Sequence, residues 1–225
     1  MKYMIHSCNK RLDYVKKYLI PSLVKQGINP DNIILWNDDN QLGCLKQWYL
    51  SCEYVRDNED INDGIWHIQD DVIISRDFYE KTKEASDTII CGFRGNKKLF
   101  SNNFIGLTSI KNMWYSFQCI YIPNKYLSEF VDWFTQEIII KGRKKTYYSR
   151  NKYDDAFFMW FIQEKHPEIN CINLEDSLVD HIDYIIGGSI VNQELYVKNK
   201  ARSISFKDKD LIKELENEIH NTHLS

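Results

Sequence analysis

The sequence predicts one α/β domain in which a mostly parallel central sheet is flanked by helices. Two observations lead to this fold class. Short apolar segments rich in β-branched residues alternate with longer segments of helical periodicity, and the first three such strands are joined by helices. The chain has 225 residues, 43% of them hydrophobic and 14% aromatic, which is enough for one sizeable core and excludes a disordered chain. We expect the domain to span residues 1–206, with a charged helix or tail at 207–225.

The first third of the chain predicts three strands and two helices. Pro21 should kink or break the first helix, and Gly27 should end it. Because the carboxyl ends of parallel strands meet at one edge of a sheet, the polar segments that follow these strands should meet at one crevice. The predicted strands are residues 2–6, 33–36 and 66–74, and the predicted helices are residues 12–23 and 42–55.

The rest of the chain continues the alternation. Residues 126–140 have the spacing of an amphipathic helix, and a strongly apolar helix at residues 156–162 begins directly behind two acidic residues. A further helix is expected at residues 77–85. The predicted strands are residues 88–93, 115–123 and 171–174, and the segment at residues 178–182 follows before a Gly-Gly-Ser turn.

Composition excludes several classes of protein. The six cysteines are scattered without a C-x-x-C pair, which indicates neither a zinc finger nor a disulfide scaffold. A net charge of -3 points to no particular partner. No apolar run approaches the roughly 20 residues of a transmembrane helix, so we expect a cytoplasmic protein without a transmembrane segment.

An acidic pair interrupts the third strand. Asp70 and Asp71 follow Gln69 within the apolar run at residues 66–74, where an unpaired carboxylate would be desolvated at a cost of several kcal/mol. The pair therefore belongs at a strand end and facing a cation. Mg²⁺ and Mn²⁺ bind one or two carboxylates together with phosphate oxygens, which suggests a metal–diphosphate site. A plain turn after the strand is an equally good interpretation of the pair alone.

The segment from Gly43-Cys44-Leu45 through the acidic strand to Phe78 resembles the GT-A glycosyltransferases, in particular the inverting galactosyltransferase group that glycosylates lipopolysaccharide and collagen. The resemblance covers about residues 1–192. Gln69 stands where that group usually has an acid. The resemblance implies a metal-dependent hexosyltransferase that uses Mn²⁺ or Mg²⁺ to move a sugar, with inversion, from a nucleotide-sugar (a UDP-sugar foremost) to a hydroxyl acceptor.

The same resemblance implies roles for the acidic strand and for a late histidine. Asp71 would be the metal ligand, and Asp70 would contact the ribose or a second metal. His181 stands where such enzymes supply a late metal ligand or diphosphate contact, with Asp183 as its substitute. A hydrogen-bonded core imidazole is the alternative for His181.

Asp154 and Asp155 resemble the acidic residue that acts as general base on the acceptor hydroxyl in inverting members. An acid at a helix N-terminus is also favoured by capping and by the helix dipole without any catalysis. One of the pair can cap while the other reacts, and we favour Asp155 as the base.

Asp38 and Asp39 follow the second strand and resemble the nucleoside contact of such enzymes, although Asn-Asp-Asp-Asn also forms a turn on its own account. Arg11 and Lys10 follow the first strand, where they can donate charge-assisted hydrogen bonds to a diphosphate or remain solvated. These four residues complete the predicted donor-binding set.

A basic, aromatic loop at residues 141–152 carries six cationic residues directly before the predicted base. It is either a solvated face or a loop that binds a polyanionic acceptor, such as DNA or a phosphate-rich glycan.

Two other functions remain open for the protein. One is a two-carboxylate phosphoryl transferase, nuclease or nucleotidyltransferase, although the chain has no G-x-x-x-x-G-K-[ST] loop. The other is a catalytically silent nucleotide- or sugar-binding module, which the missing acid at Gln69 favours.

Overall fold

The computed structural model describes residues 1–94, 106–109, 117–143, 154–187, 203 and 205–222. The strands are β1 (Lys2–Cys8), β2 (Ile33–Asp38), β3 (Gly64–Gln69), β4 (Val72–Ile74), β5 (Ile89–Cys91), β6 (Gly106–Ser109), β7 (Cys119–Pro123), β8 (Asn170–Asn173) and β9 (Val179–His181). Helix α1 consists of α-helical Leu12–Tyr14, π-helical Val15–Leu19 and α-helical Ile20–Lys25. The other helices are α2 (Cys44–Asn58), α3 (Phe78–Thr82), α4 (Asn124–Trp133, continued by π-helical Phe134–Ile140), α5 (Asp154–Lys165) and α6 (Lys209–Thr222).

Seven of the strands form one mixed sheet in the order β2-β1-β3-β7-β5-β8-β6. Their pairings make β1, β2, β3, β5 and β8 run in one direction and β6 and β7 in the other. The expected α/β architecture with a mostly parallel central sheet is therefore confirmed. Strands β4 and β9 form a separate antiparallel pair.

Helices cover both faces of the sheet. On one face, side chains of α2, α4 and α5 such as Trp48, Leu127 and Phe158 pack in one buried cluster with the sheet. On the other face, a second cluster includes residues of α1, α3 and α6. Because strand side chains alternate between faces, β1, β2, β3, β5 and β7 contribute to both clusters.

Pro21 does not end the first helix. The chain stays helical to Lys25, and the distortion is the π-helical stretch that ends at Leu19, two residues before the proline. A proline lacks the N–H that an α-helix requires and clashes with the preceding turn, and a wider π-turn before it relieves both problems. The helix ends at Gly27, which has φ +102° and a conformation that glycine adopts without strain.

The apolar run at residues 66–74 is two strands, not one. β3 ends at Gln69, Asp70 and Asp71 form a turn, and β4 resumes at Val72. β4 pairs with β9 so that Val72 lies opposite His181, and the Ile182 N–H donates to the Asp71 carbonyl over 2.8 Å. This second small sheet brings the late histidine to the acidic turn.

The C-terminal helix α6 is packed against the domain, whereas the sequence predicts an exposed charged helix or tail. Ile212 and Leu215 are buried in the same cluster as α1. Arg76 anchors the start of the helix through ion pairs to Asp208 at 3.1 Å and to Asp210 at 2.7 Å. None of the helices in the described ranges combines the length and apolar character needed to cross a bilayer.

Candidate functional site

A cavity of about 240 Å³ opens at the carboxyl ends of β1, β2 and β3, the edge at which the sequence predicts a crevice. Five of the residues singled out from the sequence line it, namely Arg11, Asp38, Asp70, Asp71 and Asp154. Three strands and the N-terminus of α5 therefore converge on one site, as in other open α/β sheets whose ligands bind beyond the strand ends.

Arg11 is the cation that faces the acidic pair in the structure. Its Nη1 atom lies 3.0 Å from Asp70 Oδ1 and also forms an ion pair with Asp71 Oδ2. The other Asp70 oxygen accepts the Cys8 N–H at 3.0 Å. Burial, followed by the charge of Asp71, raises the pKa of Asp70 to about 6. Asp70, expected to contact ribose or metal, is thus held by Arg11 and the backbone of β1.

His181 lies between two buried carboxylates. Its Nε2 atom is 3.0 Å from Asp71 Oδ2 and its Nδ1 atom is 3.0 Å from Asp183 Oδ2. Burial by itself disfavours the imidazolium, but the charges and hydrogen bonds of Asp71 and Asp183 outweigh it and raise the pKa of His181 to about 9. The imidazole is therefore protonated at neutral pH as long as no metal displaces the proton.

The cluster of Asp71, His181 and Asp183 can hold a divalent cation. One ligand atom from each residue lies within 4.8 Å of the other two, and all three residues are buried. Asp71 Oδ1 is buried and has no hydrogen-bond partner among the described residues. Two carboxylates and an imidazole are a suitable donor set for a divalent ion. His181 would have to release its proton first, so metal binding and protonation compete here.

Asp154 and Asp155 form the first turn of α5. The Asp155 N–H donates to Asp154 Oδ1 at 2.9 Å, so Asp154 binds one free N–H of the first turn. Burial raises the pKa of Asp154, and burial together with the charge of Asp154 raises the pKa of Asp155 well above its usual range. Asp154 contributes to the cavity wall, whereas Asp155 is not among its lining residues.

Asp38 organises the loop between β2 and α2. Its carboxylate accepts the Leu42 N–H at 2.8 Å, the Gly43 N–H at 2.9 Å and the Gln47 side-chain amide at 2.9 Å. Gly43 has φ +86°, a conformation that disfavours other residues. The contacts of Asp38 are therefore those of a residue that stabilises a turn. Asp38 also lines the cavity.

The other predicted donor contacts lie outside the cavity wall. Asp39 is exposed and accepts the Asn37 side-chain amide at 2.6 Å. Lys10 is exposed and lies two residues after the end of β1. Both positions fit solvated surface, and their predicted roles toward a nucleotide stay predictions.

Two described residues of the basic loop are neutralised by acids. Lys141 pairs with Glu137 at 2.6 Å, and Arg143 pairs with Glu137 at 2.7 Å and with Glu164 at 2.9 Å. Residues 144–152, including the other four cations, lie outside the described residues. The predicted contact with a polyanionic acceptor stays a prediction.

Sequence reasoning missed Gln47 and His6, two polar residues of the cavity wall. Gln47 lies in the first turn of α2, and its side-chain amide donates to Asp38. The signal in the sequence is a polar residue that follows the acidic loop by less than ten positions. His6 is a polar residue near the end of the apolar strand β1, and the acidic pair directly after β3 gave the same kind of signal. A polar side chain near the end of a buried strand was the informative feature in both strands.

No protein-family model and no curated protein sequence matches this chain. Among solved structures, it is similar to a glycosyltransferase involved in glycosylation of the major capsid of PBCV-1, with 9% identity and a TM-score of 0.47 over 95% of this chain and 100% of that chain. It is also similar to the galactosyltransferase LgtC, with 9% identity and a TM-score of 0.45 over 97% and 96% of the two chains. A protein described as a glucose-1-phosphate thymidylyltransferase from Bacillus anthracis has 12% identity and a TM-score of 0.41 over 89% and 96%.

Proposed function

We propose that this protein is a metal-dependent glycosyltransferase that moves a sugar from a nucleotide-sugar to a hydroxyl acceptor, with inversion. The observation that carries the proposal is the buried cluster of Asp71, His181 and Asp183. It adjoins a cavity at the strand ends because Asp71 belongs to both. A divalent cation and a diphosphate fit such an arrangement of acids beside a ligand-sized crevice.

In this proposal Asp71, His181 and Asp183 hold Mn²⁺ or Mg²⁺. When bound, the ion acts as a Lewis acid that stabilises charge on the diphosphate leaving group. Arg11 lies beside the same carboxylates and donates charge-assisted hydrogen bonds to the diphosphate oxygens. Asp70 holds Arg11 in place, so its role is to position the cationic side chain.

The acceptor hydroxyl requires a base, and Asp154 or Asp155 supplies it. The bond between the anomeric carbon and the diphosphate oxygen breaks with its electron pair on the oxygen. The hydroxyl oxygen attacks the opposite face of that carbon, and its proton passes to the carboxylate. Asp154 faces the cavity, which makes it a better candidate for this contact than the sequence alone suggests. A raised pKa makes either carboxylate a stronger base.

The acceptor in this proposal is polyanionic, such as DNA or a phosphate-rich glycan, and the donor is a UDP-sugar. The support for the acceptor is the basic composition of residues 141–152, which precede α5 in the chain. The support for the donor is the resemblance of the segment from Gly43 to Phe78 to the galactosyltransferase group.

A specific observation favours a second candidate, a binding module without turnover. The guanidinium of Arg11 already pairs with both Asp70 and Asp71. In a protein that uses no metal, buried carboxylates still require a cationic partner, and a guanidinium supplies it. This candidate binds a nucleotide or a sugar in the same cavity and transfers nothing.

The proposal is tested with the full chain, Mn²⁺ and a panel of UDP-, GDP- and dTDP-sugars. The two measurements are release of nucleoside diphosphate and thermal stabilisation. Release that requires Mn²⁺ and disappears in Asp71→Asn, but not in the exposed control Asp31→Asn, supports a glycosyltransferase. Stabilisation without release supports the binding module. No response to any sugar donor contradicts both and favours the phosphoryl transferase class.

A further inference from the structure

His6 is a cavity residue whose partner is a second, fully buried histidine. Across the sheet His6 lies in register with Trp36 on β2 and Gln69 on β3. All three side chains line the cavity, because residues in register on parallel strands face the same side of a sheet. The three side chains form a row across β2, β1 and β3. Two of them, Trp36 on β2 and His6 on β1, are aromatic rings.

His6 and His67 share one hydrogen bond. His6 Nε2 is 2.9 Å from His67 Nδ1, and the two rings stack with centroids 5.2 Å apart. Burial lowers the pKa of His6 to about 4, and burial together with His6 lowers the pKa of His67. Both rings are therefore neutral at pH 7, and each carries a single N–H, so one ring must donate and the other accept.

The surroundings of His67 decide which ring donates. His67 Nε2 is buried and has no hydrogen-bond partner in the described ranges, and the same is true of Trp48 Nε1. The indole ring lies close by, with centroids 4.7 Å apart, and an indole nitrogen can only donate. A hydrogen on His67 Nε2 would add a second buried donor without an acceptor, which is costly. A lone pair there is also without a hydrogen-bond partner in the described part of the chain, but it places an acceptor, and not a second donor, beside a ring whose only polar group is a donor.

The favoured tautomer of His67 therefore carries its hydrogen on Nδ1 and donates it to His6 Nε2. His6 must then carry its own hydrogen on Nδ1. Among the described residues His6 makes no other side-chain hydrogen bond, so this N–H is left for the cavity that the residue lines. The fully buried His67 thus fixes which group the half-buried His6 offers to a ligand.

We infer that His6 is a specificity-determining residue, held by His67 as the Nδ1–H tautomer, and that it donates a hydrogen bond to a carbonyl oxygen of the bound nucleobase. This inference rests on the proposed nucleotide-sugar donor. The aromatic row of Trp36 and His6 suits a planar base, while the acids of the β3–β4 turn suit the diphosphate. Uracil and guanine carry carbonyl oxygens, and adenine carries none. The contact therefore discriminates between bases.

The first test needs no ligand. Nitrogen-15 NMR of the side-chain imidazoles at pH 7 reports which nitrogen of each ring is protonated, and we expect His6 and His67 both to be protonated on Nδ1. The variant His67→Phe should remove the fixed tautomer of His6 and give the exchange-averaged signal of a free imidazole. A His6 ring protonated on Nε2 in the natural protein overturns the inference.

The second test measures binding of UDP, GDP and ADP by calorimetry. We expect UDP or GDP to bind more tightly than ADP, and His6→Phe to weaken that binding by about five- to tenfold, the value of one hydrogen bond, without changing ADP binding. His6→Asn keeps a donor near the Nδ1 position and should retain the preference. His220→Phe, on α6 and exposed, is the control.

The outcomes separate this inference from the proposed function. If the natural protein binds no nucleoside diphosphate, the proposed function and the ligand part of the inference both fail, and the NMR result still decides the tautomer. If it binds UDP or GDP and His6→Phe weakens UDP, GDP and ADP equally, or none of them, the nucleotide site stands and the role of His6 is wrong.

Discussion

His181 and Asp71 form an ion pair of 3.0 Å across the small β4–β9 sheet. The same Asp71 oxygen also pairs with Arg11, which comes from the end of β1. One carboxylate therefore joins a residue near the start of the chain to one near its end. Because both partners are cationic at neutral pH, Asp71 has two counter-charges without a metal, and any metal must compete with an imidazolium and a guanidinium.

Replacing Arg11 with Met removes the guanidinium and leaves Asp70 and Asp71 as neighbouring buried carboxylates. Removing one partner of a buried ion pair typically costs about 3–5 kcal/mol. We expect the free energy of unfolding of the metal-free protein to fall by about that amount at pH 7, measured by urea denaturation in the presence of EDTA.

Arg56→Met is the matched control, because Arg56 pairs with exposed Asp57 on the surface and exposed ion pairs contribute little. Mn²⁺ should stabilise Arg11→Met more than it stabilises the natural protein, since the acids then lack a counter-charge. A loss of stability no larger than that of the control contradicts the account of the acidic turn.

The stability of the metal-free protein should fall as the pH rises from 6.5 to about 9. The folded-state pKa of His181 is raised to about 9, from an ordinary value of 6.5, so the folded state holds a proton that the unfolded state has lost in this range. The contribution is fully present below pH 6.5 and is lost as the pH passes 9. It amounts to at most about 3 kcal/mol, since one pKa unit corresponds to about 1.4 kcal/mol.

The measurement is the free energy of unfolding at several pH values for the natural protein and for His181→Gln, both with EDTA. The difference between the two should shrink across this window. His166→Gln is the control histidine, which is distant from the acidic turn and pairs with Glu129 on α4. A difference that stays constant between pH 6 and 9.5 would show that His181 is neutral in the folded protein.

Local signals in the sequence predict which residues lie at the carboxyl ends of the strands, but they do not predict which side chains pair with those residues. Asp70 and Asp71 had to leave the apolar run because buried unpaired charge is costly, and β3 indeed ends before them. Arg11, which pairs with Asp70, lies 59 residues before it in the chain. No local sequence pattern indicates a contact over that separation. The sequence thus predicts a cation at this position without predicting that it is a guanidinium.

The register of strand pairing explains why the contact between His181 and Asp71 could not be predicted from the sequence. His181 reaches Asp71 because Val72 lies opposite His181 in β4 and β9, and pairing between distant strands cannot be inferred from one short apolar run. Helix α6 is a different case, because Ile212 and Leu215 have the spacing of an apolar helix face and pack in the core. That signal was present in the sequence, but the charge around it favoured an exposed helix.

Asp38→Ala should loosen the wall of the cavity. The carboxylate accepts two backbone N–H groups and the Gln47 amide, and its loss should reduce the free energy of unfolding by about 2–3 kcal/mol. Nucleotide binding should weaken as well, because Gly43 and Gln47 also line the cavity.

Asp31→Ala is the control for this variant, because Asp31 is exposed and does not line the cavity. Urea denaturation measures the first effect and calorimetry with UDP measures the second. If Asp38→Ala keeps its stability but loses nucleotide binding, the carboxylate is a direct nucleoside contact and not the organiser of the loop.

The last prediction separates the two acids of α5. Asp154 lines the cavity, and its Oδ1 accepts the Asp155 N–H. Asp155 Oδ1 is buried without a hydrogen-bond partner among the described residues. If Asp154 is the general base, Asp154→Asn should lower kcat by about 10²–10⁴ with little change in donor KM. Asp155→Asn should then act mainly on stability, and it should stabilise the protein, because it removes a like charge from a buried pair.

Rates of sugar transfer, donor KM and urea denaturation for both variants decide the assignment, together with the stereochemistry of the product. A retained configuration in the natural protein would exclude a general-base role for either acid. Loss of kcat confined to Asp155→Asn would return the role to the residue that the sequence resemblance favours. In that case the cavity as it stands must rearrange on acceptor binding, because Asp154 and not Asp155 faces it now.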